Sequence, residues 1–344
     1  MGQNEAVLRA ATKFHAEENS LPPRAASSTH YSSNTVPRHD LSRAGAQALL
    51  RRLCADREAS PSQLQKWQRR ALPSLGVELP PLSGGNLGLY GLSANVEKRK
   101  IDEEIAEKLD VLNFLSNSKT IRIADLGFAT GPNTINAMQD LIEAIVHKQY
   151  FAVGVPGCFH NRLFPESSLH FVYTCYALQW LSTLPEELSD KNSPICNKGR
   201  VHYTNAPHEV LNAYSTQFAM DVENFLNARA KELVPGVMMV TILSGIPTGM
   251  PYFEVPSGIM FDFISSILMN METEGLINED EVDSFNIPFY AVSPEEMTGL
   301  VERNGYFSIE RMELTNPATW LGSSPIDIQA WMTHVRAVME GIFI

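Results

Sequence analysis

After residue 120, short apolar runs alternate with longer stretches in which apolar residues recur at helical spacing. This pattern predicts strands that alternate with helices. Short apolar stretches rich in β-branched residues predict strands over 120–124, 169–173, 237–243 and 307–314. Longer stretches with apolar residues three and four positions apart predict helices over 96–109, 134–146, 209–233, 257–274, 294–304 and 326–339. This alternation predicts an α/β fold with a mostly parallel sheet.

The helix predicted over 294–304 has recognisable signals at both ends. Ser293 is a favoured N-cap residue, and Pro294 suits the first helical position, where no backbone donor is needed. Gly305 follows the last apolar residue and can adopt the left-handed conformation that ends a helix. These signals fix the boundaries of this helix better than those of the others.

The first 83 residues differ in composition from the rest of the chain. Residues 20–42 are rich in Ser, Pro and Arg without an apolar period, which predicts disorder, and the helices predicted over 41–55 and 61–70 bury too little surface to fold alone. We therefore predict a disordered or weakly helical extension over 1–83 and a folded domain over 84–344. An organelle transit peptide is an alternative, although the acidic residues that precede the Arg-rich stretch favour a solvated extension.

The charge is distributed unevenly along the chain. The net charge is −12, of which residues 1–83 contribute +4, so the predicted domain carries −16. Such an acidic domain excludes nucleic acid as an expected partner, and the absence of a long apolar run predicts no membrane span. The four cysteines show no paired metal-binding spacing, which argues against zinc and disulfides and predicts a cytoplasmic location.

A glycine-containing loop follows the first predicted strand. Asp125, Gly127 and Gly131 lie between this strand and the next predicted helix, at the strand end where doubly wound sheets bind ligands. The glycines allow a tight turn and a close approach to a ligand. An acid at this place suits a ligand with a cationic or hydroxyl-rich part, such as S-adenosylmethionine. The alternative is an ordinary strand-to-helix turn with Asp125 as its cap.

Five stretches of the chain resemble one family of enzymes. They cover residues 123–134 (I-A-D-L-G-x-x-x-G-P-N-T), 154–165, 176–182, 197–200 and 283–290. In this order they are similar to the SABATH family, the plant S-adenosylmethionine-dependent methyltransferases of salicylate, jasmonate, indole-acetate, gibberellate, loganate, farnesoate and xanthine. The resemblance implies a Rossmann-like methyltransferase sheet with an added helical cap, a homodimer, and methyl transfer to the carboxylate of a small plant metabolite.

The resemblance also implies a role for individual residues. Contacts to S-adenosylmethionine would come from Asp125, Gly127, Asn133, Cys158 and Phe159. The acceptor pocket would be lined by Gln179 and Trp180, and a magnesium ion would be held by Asn197, Asp283, Phe285 and Asn286. Carboxylate, amide and backbone carbonyl oxygens are suitable ligands for such a hard cation. Because a carboxylate is already ionised at neutral pH, no general base is expected, and the residues only position the reactants.

Each of these assignments has a structural alternative. Cys158 can be a small buried thiol, Trp180 can be a core residue, and residues 283–286 can be a turn closed by Asx hydrogen bonds. The apolar side chains of the helix over 257–274 can line the acceptor pocket or pack in the core. They are Phe261, Phe263, Ile264 and Ile267.

The chain departs from the family pattern in three places. Residues 84–90 only faintly match the start of the family's N-terminal lid, and the short stretch 148–153 leaves no room for an internal βα unit and its ribose-binding acid. The chain also stops at residue 344, where the family continues into a terminal helix and strand. We therefore predict an incomplete methyltransferase domain.

Three other functions are compatible with this sequence. A non-catalytic homologue would keep the fold without binding the cofactor. A methyltransferase of ring nitrogens, as in the xanthine members, would use the side-chain amide of Gln179, which can both donate and accept hydrogen bonds. An α/β binding module for another ligand is a more remote alternative.

Overall fold

The structure, a computed structural model, describes residues 6–15, 120–127 and 153–315, which include a five-stranded mixed sheet. The strands are β1 (Ala6–Phe14), β2 (Ile123–Asp125), β3 (Leu169–Cys175), β4 (Leu233–Gly245) and β5 (Phe307–Thr315). Their order across the sheet is β2-β3-β4-β1-β5. Strands β2, β3 and β4 are parallel, whereas β1 is antiparallel to both of its neighbours. The predicted α/β class is confirmed.

Four α-helices accompany this sheet in the described ranges. They are α1 (His208–Glu232), α2 (Pro256–Thr273), α3 (Glu279–Ser284) and α4 (Pro294–Asn304). Two 3₁₀ turns, Glu186–Leu188 and Tyr252–Glu254, complete the helical elements. The helices predicted over 41–55, 61–70, 96–109, 134–146 and 326–339 lie outside the described residues.

The caps predicted for α4 are present. The Ser293 side chain accepts a hydrogen bond from the backbone N–H of Glu296 over 3.2 Å, and Gly305 follows the helix with φ of 77°. In contrast, α1 begins after Pro207 without a side-chain cap. Its 25 residues are stabilised instead by an apolar stripe that is buried against the sheet, since the side chains of Val210, Phe218 and Val222 are fully inaccessible.

Strand β1 corrects the prediction for the start of the chain. We expected residues 1–83 to form a disordered or weakly helical extension, but residues 6–14 pair with β4 on one side and β5 on the other. Leu8, Ala10 and Ala11 are fully buried there. The sequence of β1 gives a weak strand signal, because its alanines and charged residues favour strands little, and its partners lie more than 220 residues away. The rest of the extension lies outside the described residues.

Strand β2 is an edge of the sheet as far as the structure describes it. It is shorter than the predicted strand and extends to Asp125, where it pairs only with β3. The stretch 148–153, where an internal βα unit is predicted to be missing, lies outside the described ranges except for residue 153, and the end of the chain at residue 344 lies outside them as well. In the described part, no helix has the length and apolar composition needed to cross a membrane.

Candidate functional site

The carboxyl ends of β2 and β3 lie side by side and hold the start of the glycine loop. Asp125 is the register partner of Tyr173, and the N–H of Leu126 donates to the Tyr173 carbonyl over 2.9 Å. The Thr174 hydroxyl then donates to the Leu126 carbonyl, also over 2.9 Å. These bonds continue the sheet pairing one residue beyond β2 and fix the point at which the chain turns away.

Gly127 is the place where three segments of the chain meet. Its φ of +76° is left-handed, which favours glycine. A β-carbon at this position would lie 2.3 Å from the β-carbon of Ala177 and 3.2 Å from the ring of Phe159. The glycine loop, the segment that carries Phe159 and the turn after β3 therefore come together at the carboxyl edge of the sheet, as the sequence predicted for a ligand site.

The carboxyl group of Asp125 lies in an unfavourable environment for a negative charge. Burial raises the pKa of Asp125 to about 7, from a usual value of 3.8. A cation placed against this carboxylate would stabilise the ionised form and lower the pKa again. A ligand with a cationic group would therefore suit this position. Asn133, the other predicted cofactor contact on this loop, lies outside the described residues.

The segment with Cys158 and Phe159 has one clear contact with the loop. Phe159 is half-buried, with the edge of its ring next to Gly127 and its ring centre 6.4 Å from that of Phe225. The Cys158 thiol lies 3.5 Å from Nδ1 of His160 and is half-buried. The structure thus places Phe159 at the predicted ligand site and Cys158 next to it.

The turn after β3 contains the predicted acceptor residues. Tyr176 has φ of 52°, an unusual left-handed value for a large side chain, and its N–H donates to the Ile242 carbonyl over 2.7 Å. Such strain persists only where the surroundings enforce it, and it often marks a functional site. The next residues turn back so that the N–H of Trp180 donates to the Ala177 carbonyl.

Gln179 and Trp180 are held against a second segment, residues 288–290. The Gln179 carbonyl accepts a hydrogen bond from the N–H of Tyr290 over 2.9 Å, and the Trp180 ring meets the Phe289 ring edge to face at 5.3 Å. Gln179 is 2% exposed, and its side-chain oxygen has no hydrogen-bond partner among the residues that the structure describes. A buried acceptor of this kind favours a ligand with a hydrogen-bond donor.

An aromatic cluster supports the acceptor side. Phe289 contacts Phe261 of α2 at 5.5 Å, and both surround the imidazole of His202. Burial lowers the pKa of His202 to about 3, and its ring nitrogens contact the Phe289 carbonyl and the Thr204 hydroxyl. His202 is thus a neutral structural residue. Among the predicted pocket walls, Phe261 belongs to this cluster, but Phe263 is 65% exposed and does not form a buried wall.

Three of the residues predicted to bind magnesium lie in one connected group. The side-chain N–H of Asn197 donates to the Asn286 side-chain oxygen over 2.8 Å, and one Asp283 oxygen accepts from the N–H of Gly199 over 2.9 Å. Asp283 lies in helix α3, which Asn278 caps, so residues 283–286 are not the simple Asx turn of the alternative interpretation. Phe285 follows this helix and is half-buried.

The donor atoms of this group partly fit a hard cation. Asn197 Oδ1 and Asp283 Oδ2 are buried and have no partner within the described residues, so both oxygens are available as ligands. Asn286 fits less well, because its oxygen already accepts from Asn197 and from the Tyr214 hydroxyl, and its unpartnered atom is the amide nitrogen. The described ranges contain no group of three His, Cys, Asp or Glu side chains arranged around a metal position.

The sequence analysis missed three buried polar residues of α1. Asp221 accepts hydrogen bonds from the backbone N–H and the hydroxyl of Ser182, at the end of the acceptor turn. Arg229 and Glu232 form a fully buried ion pair that contacts the backbone around residues 159–164. The sequence contains a signal for their burial, since Asp221 and Arg229 occur at helical spacing from the apolar residues of the buried stripe and therefore lie on the same face of the helix.

Comparison with known proteins agrees with this geometry. A family profile described as SAM dependent carboxyl methyltransferase matches residues 146–344. Loganic acid O-methyltransferase of Catharanthus roseus is 38% identical over 317 residues, which cover 79% of this chain and 84% of that protein. The chain belongs to the S-adenosylmethionine-dependent carboxyl methyltransferases. The resemblance to SABATH enzymes and the assignment of S-adenosylmethionine as the family's cofactor are thereby confirmed.

Two further similarities describe the range of this methyltransferase family. A solved structure of loganic acid methyltransferase with SAH matches with a TM-score of 0.69 and 36% identity, covering 76% of this chain and 86% of that chain. A probable 7-methylxanthine methyltransferase of Camellia ptilophylla is 42% identical over 196 residues, 56% of this chain and 53% of that protein. The structural match is consistent with the predicted Rossmann-like sheet.

Proposed function

We propose that this chain transfers a methyl group from S-adenosylmethionine to the carboxylate of a small plant metabolite. The observation that carries the proposal is the meeting of Asp125, Gly127 and Phe159 beside the turn with Gln179 and Trp180. One part of this site suits a ligand with a cationic group, and the adjacent part presents an aromatic ring and an unpartnered amide oxygen. A donor and an acceptor of a methyl group would thus lie next to each other.

The cofactor side of the site uses charge and shape. S-adenosylmethionine supplies an electrophilic methyl group when it is bound. Asp125 would face a cationic or hydroxyl group of the ligand, which compensates the cost of burying the carboxylate. Gly127 leaves room for the close approach of the ligand, and the Phe159 ring offers a flat apolar surface for an adenine, with Cys158 beside it. Asn133 would complete these contacts, as the resemblance implies.

The acceptor side needs to position the substrate, not to activate it. A carboxylate is ionised at neutral pH, so the transfer yields a methyl ester and S-adenosylhomocysteine without removal of a proton. Trp180 and the ring of Phe289 behind it would exclude water from the carboxylate, and the side-chain N–H of Gln179, not its oxygen, would orient this acceptor. Alignment of the reactants alone can contribute about 7–11 kcal/mol to such a reaction.

We include a magnesium ion in the proposal as a second ligand of the protein. Its ligands would be the unpartnered oxygens of Asn197 and Asp283, with the Phe285 carbonyl and Asn286 as the resemblance implies. Asn286 would have to release its present hydrogen bonds. Because this segment continues into residues 288–290, a bound cation would also stabilise the segment against which Gln179 and Trp180 pack.

A second acceptor class, a ring nitrogen, is favoured by one observation. The buried oxygen of Gln179 lacks a partner in the described structure, and a heterocyclic N–H could donate to it. The 42% identity with a probable 7-methylxanthine methyltransferase supports this alternative.

A labelled-methyl assay distinguishes these acceptors. The protein is incubated with methyl-labelled S-adenosylmethionine and loganic acid, farnesoic acid or 7-methylxanthine in separate reactions. The proposal predicts a product with at least one acid, and mild alkali should release the label because a methyl ester hydrolyses. A label that survives alkali would identify an N-methyltransferase. No product with any acceptor, from protein that binds S-adenosylhomocysteine, would contradict the proposal for these acceptor types.

The assembly and location of the protein also belong to this proposal. A homodimer is implied by the resemblance, and the exposed apolar residues Ile259 and Phe263 of α2 offer a surface that a second copy can cover. Light scattering should then give twice the 38.2 kDa of the chain. A cytoplasmic location stays a prediction from the spacing of the cysteines, which localisation of a fluorescent fusion would test.

A further inference from the structure

The loop that carries Phe159 lies along the C-terminal end of α1, where two fully buried charged side chains face it. Arg229 and Glu232 are both 0% exposed and are one helical turn apart. Nε and Nη2 of Arg229 donate to the same Glu232 oxygen over 2.8 and 2.7 Å. Such a pair costs much to bury, and its retention needs further hydrogen bonds to compensate the lost hydration.

Those further hydrogen bonds all go to the backbone of one loop. Arg229 donates to the carbonyls of Phe159 and Asn161 over 2.8 and 2.9 Å. The second oxygen of Glu232 accepts from the N–H groups of Leu163 and Phe164, the latter over 2.8 Å. Two carbonyls and two N–H groups of residues 159–164 thus end on this one ion pair, which fixes the path of a loop without regular secondary structure.

The ion pair also determines where the Phe159 ring lies. The backbone carbonyl of Phe159 accepts a hydrogen bond from Arg229, whose guanidinium lies 5.0 Å from the Phe225 ring, and the Phe225 ring contacts the Phe159 ring. The edge of the Phe159 ring also lies next to Gly127. A planar guanidinium can make these bonds simultaneously, whereas the single ammonium of a lysine cannot.

We propose that Arg229 and Glu232 are positioning residues for S-adenosylmethionine, which hold the loop 159–164 so that the Phe159 ring forms one wall of the cofactor site before the ligand binds. The inference rests on the proposed function, because it assumes that Phe159 contacts the cofactor. A loop that is ordered in advance does not have to be fixed upon binding, and this raises affinity. The pair acts through the loop, because its polar atoms bond to each other and to the loop backbone.

The test compares residues of the same helix that bond to the loop with one that does not. In the double variant Arg229→Met/Glu232→Leu, apolar side chains replace the whole pair, so that no unpaired buried charge remains. Asn227→Ala is the matched control, since Asn227 is also on α1 but accepts a hydrogen bond from the Asn304 side chain of α4 and not from the loop. Glu166→Gln, an exposed residue next to the loop, is the second control. Isothermal titration with S-adenosylhomocysteine measures the affinity of each.

The proposal predicts that the double variant binds S-adenosylhomocysteine at least tenfold more weakly than the wild type, while both controls stay within threefold. Unchanged affinity in the folded double variant would overturn it, and so would an equal loss in Asn227→Ala, because that loss indicates a general effect of changes in α1. If the double variant does not fold, Arg229→Lys, which keeps the charge but loses the planar donor geometry, takes its place with the same expectation.

Hydrogen exchange of the wild-type protein tests the inference without any variant. We expect the amides of Leu163 and Phe164 to exchange slowly in the absence of ligand, with little further protection when S-adenosylhomocysteine is added. Rapid exchange without ligand would overturn the inference even if the ligand binds. If the wild type does not bind S-adenosylhomocysteine but these amides are protected, the proposed function fails while the anchoring of the loop holds.

Discussion

Gly127 and Ala177 come so close that there is no space for a side chain between the end of β2 and the turn after β3. A β-carbon on Gly127 would lie 2.3 Å from that of Ala177, and the φ of +76° is itself unfavourable for other residues. The two halves of the proposed site, one for the cofactor and one for the acceptor, meet at this contact.

The first prediction concerns this contact. Gly127→Ala should weaken the binding of S-adenosylhomocysteine by about tenfold or more, because the backbone must leave its left-handed conformation at a cost of about 1–3 kcal/mol. Gly154→Ala is the control, since Gly154 lies in open space. Isothermal titration measures both variants, and equal affinities for S-adenosylhomocysteine would show that the Gly127 turn does not shape the site.

The second prediction concerns the ionisation of Asp125. Because the pKa of Asp125 is about 7 in the folded protein, its carboxyl group is largely protonated at pH 6 and ionised at pH 8. If the ionised form binds the cation, the affinity for S-adenosylhomocysteine should rise between these pH values and then level off. Titration of Asp125→Asn should show weaker binding without this rise. A pH-independent affinity in the wild type would exclude an ionic role for Asp125.

The same pKa has a consequence for stability. The folded-state pKa of Asp125 lies above the unfolded value of 3.8, so the folded protein holds this proton longer than the unfolded chain. The contribution of Asp125 to the free energy of unfolding is therefore constant below about pH 4. It falls by up to about 4 kcal/mol as the pH rises towards 7, and it is constant again above pH 7. Urea unfolding at several pH values should show a smaller fall for Asp125→Asn.

A third prediction tests the proposed magnesium site with two residues of the same helix. Asp283 is buried with one unpartnered oxygen, whereas Asp280 is exposed and paired with Lys191. Millimolar magnesium should raise the melting temperature of the wild type and of Asp280→Asn, but not that of Asp283→Asn, because a ligand that binds only the folded state stabilises it. If magnesium leaves the wild type unchanged, the buried oxygens of Asn197 and Asp283 do not form a cation site.

A fourth prediction concerns strand β1. Leu8 is fully buried between β4 and β5, where its register partners are Leu243 and Leu314. Leu8→Ala should lower the free energy of unfolding by about 2–5 kcal/mol. Substitution of the exposed His15, just beyond the strand, should have little effect. If Leu8→Ala unfolds at the same urea concentration as the wild type, β1 does not belong to the folded core in solution.

The sequence predicted those elements whose signals are local. The Ser293 cap and Gly305 defined α4, and the apolar runs defined β3 and β4 to within a few residues. The sequence did not predict β1, because nothing near residues 6–14 shows that this segment pairs with β4 and β5. A pairing across such a distance depends on the tertiary structure and not on propensity.

The sequence likewise predicted only part of the candidate site, namely the residues that lie in motifs. The motif residues Gly127, Phe159 and Trp180 were found because they lie in recognisable stretches. The structure places Phe159 and Ala177 next to Gly127, and Trp180 donates a backbone hydrogen bond to Ala177. Arg229 and Glu232 were missed because their partners are backbone groups of a loop, which have no residue-specific signal. A charged residue on the buried stripe of a helix is the sign by which such anchors can be found in other sequences.

We infer that the carboxyl ends of β2 and β3 form a working site for S-adenosylmethionine. The most direct test is isothermal titration of the purified protein with S-adenosylhomocysteine. We predict binding at micromolar strength, about −8 kcal/mol, with one ligand per chain. The absence of detectable binding by a protein shown to be folded by circular dichroism would contradict the claim and indicate a homologue that keeps the fold without the activity.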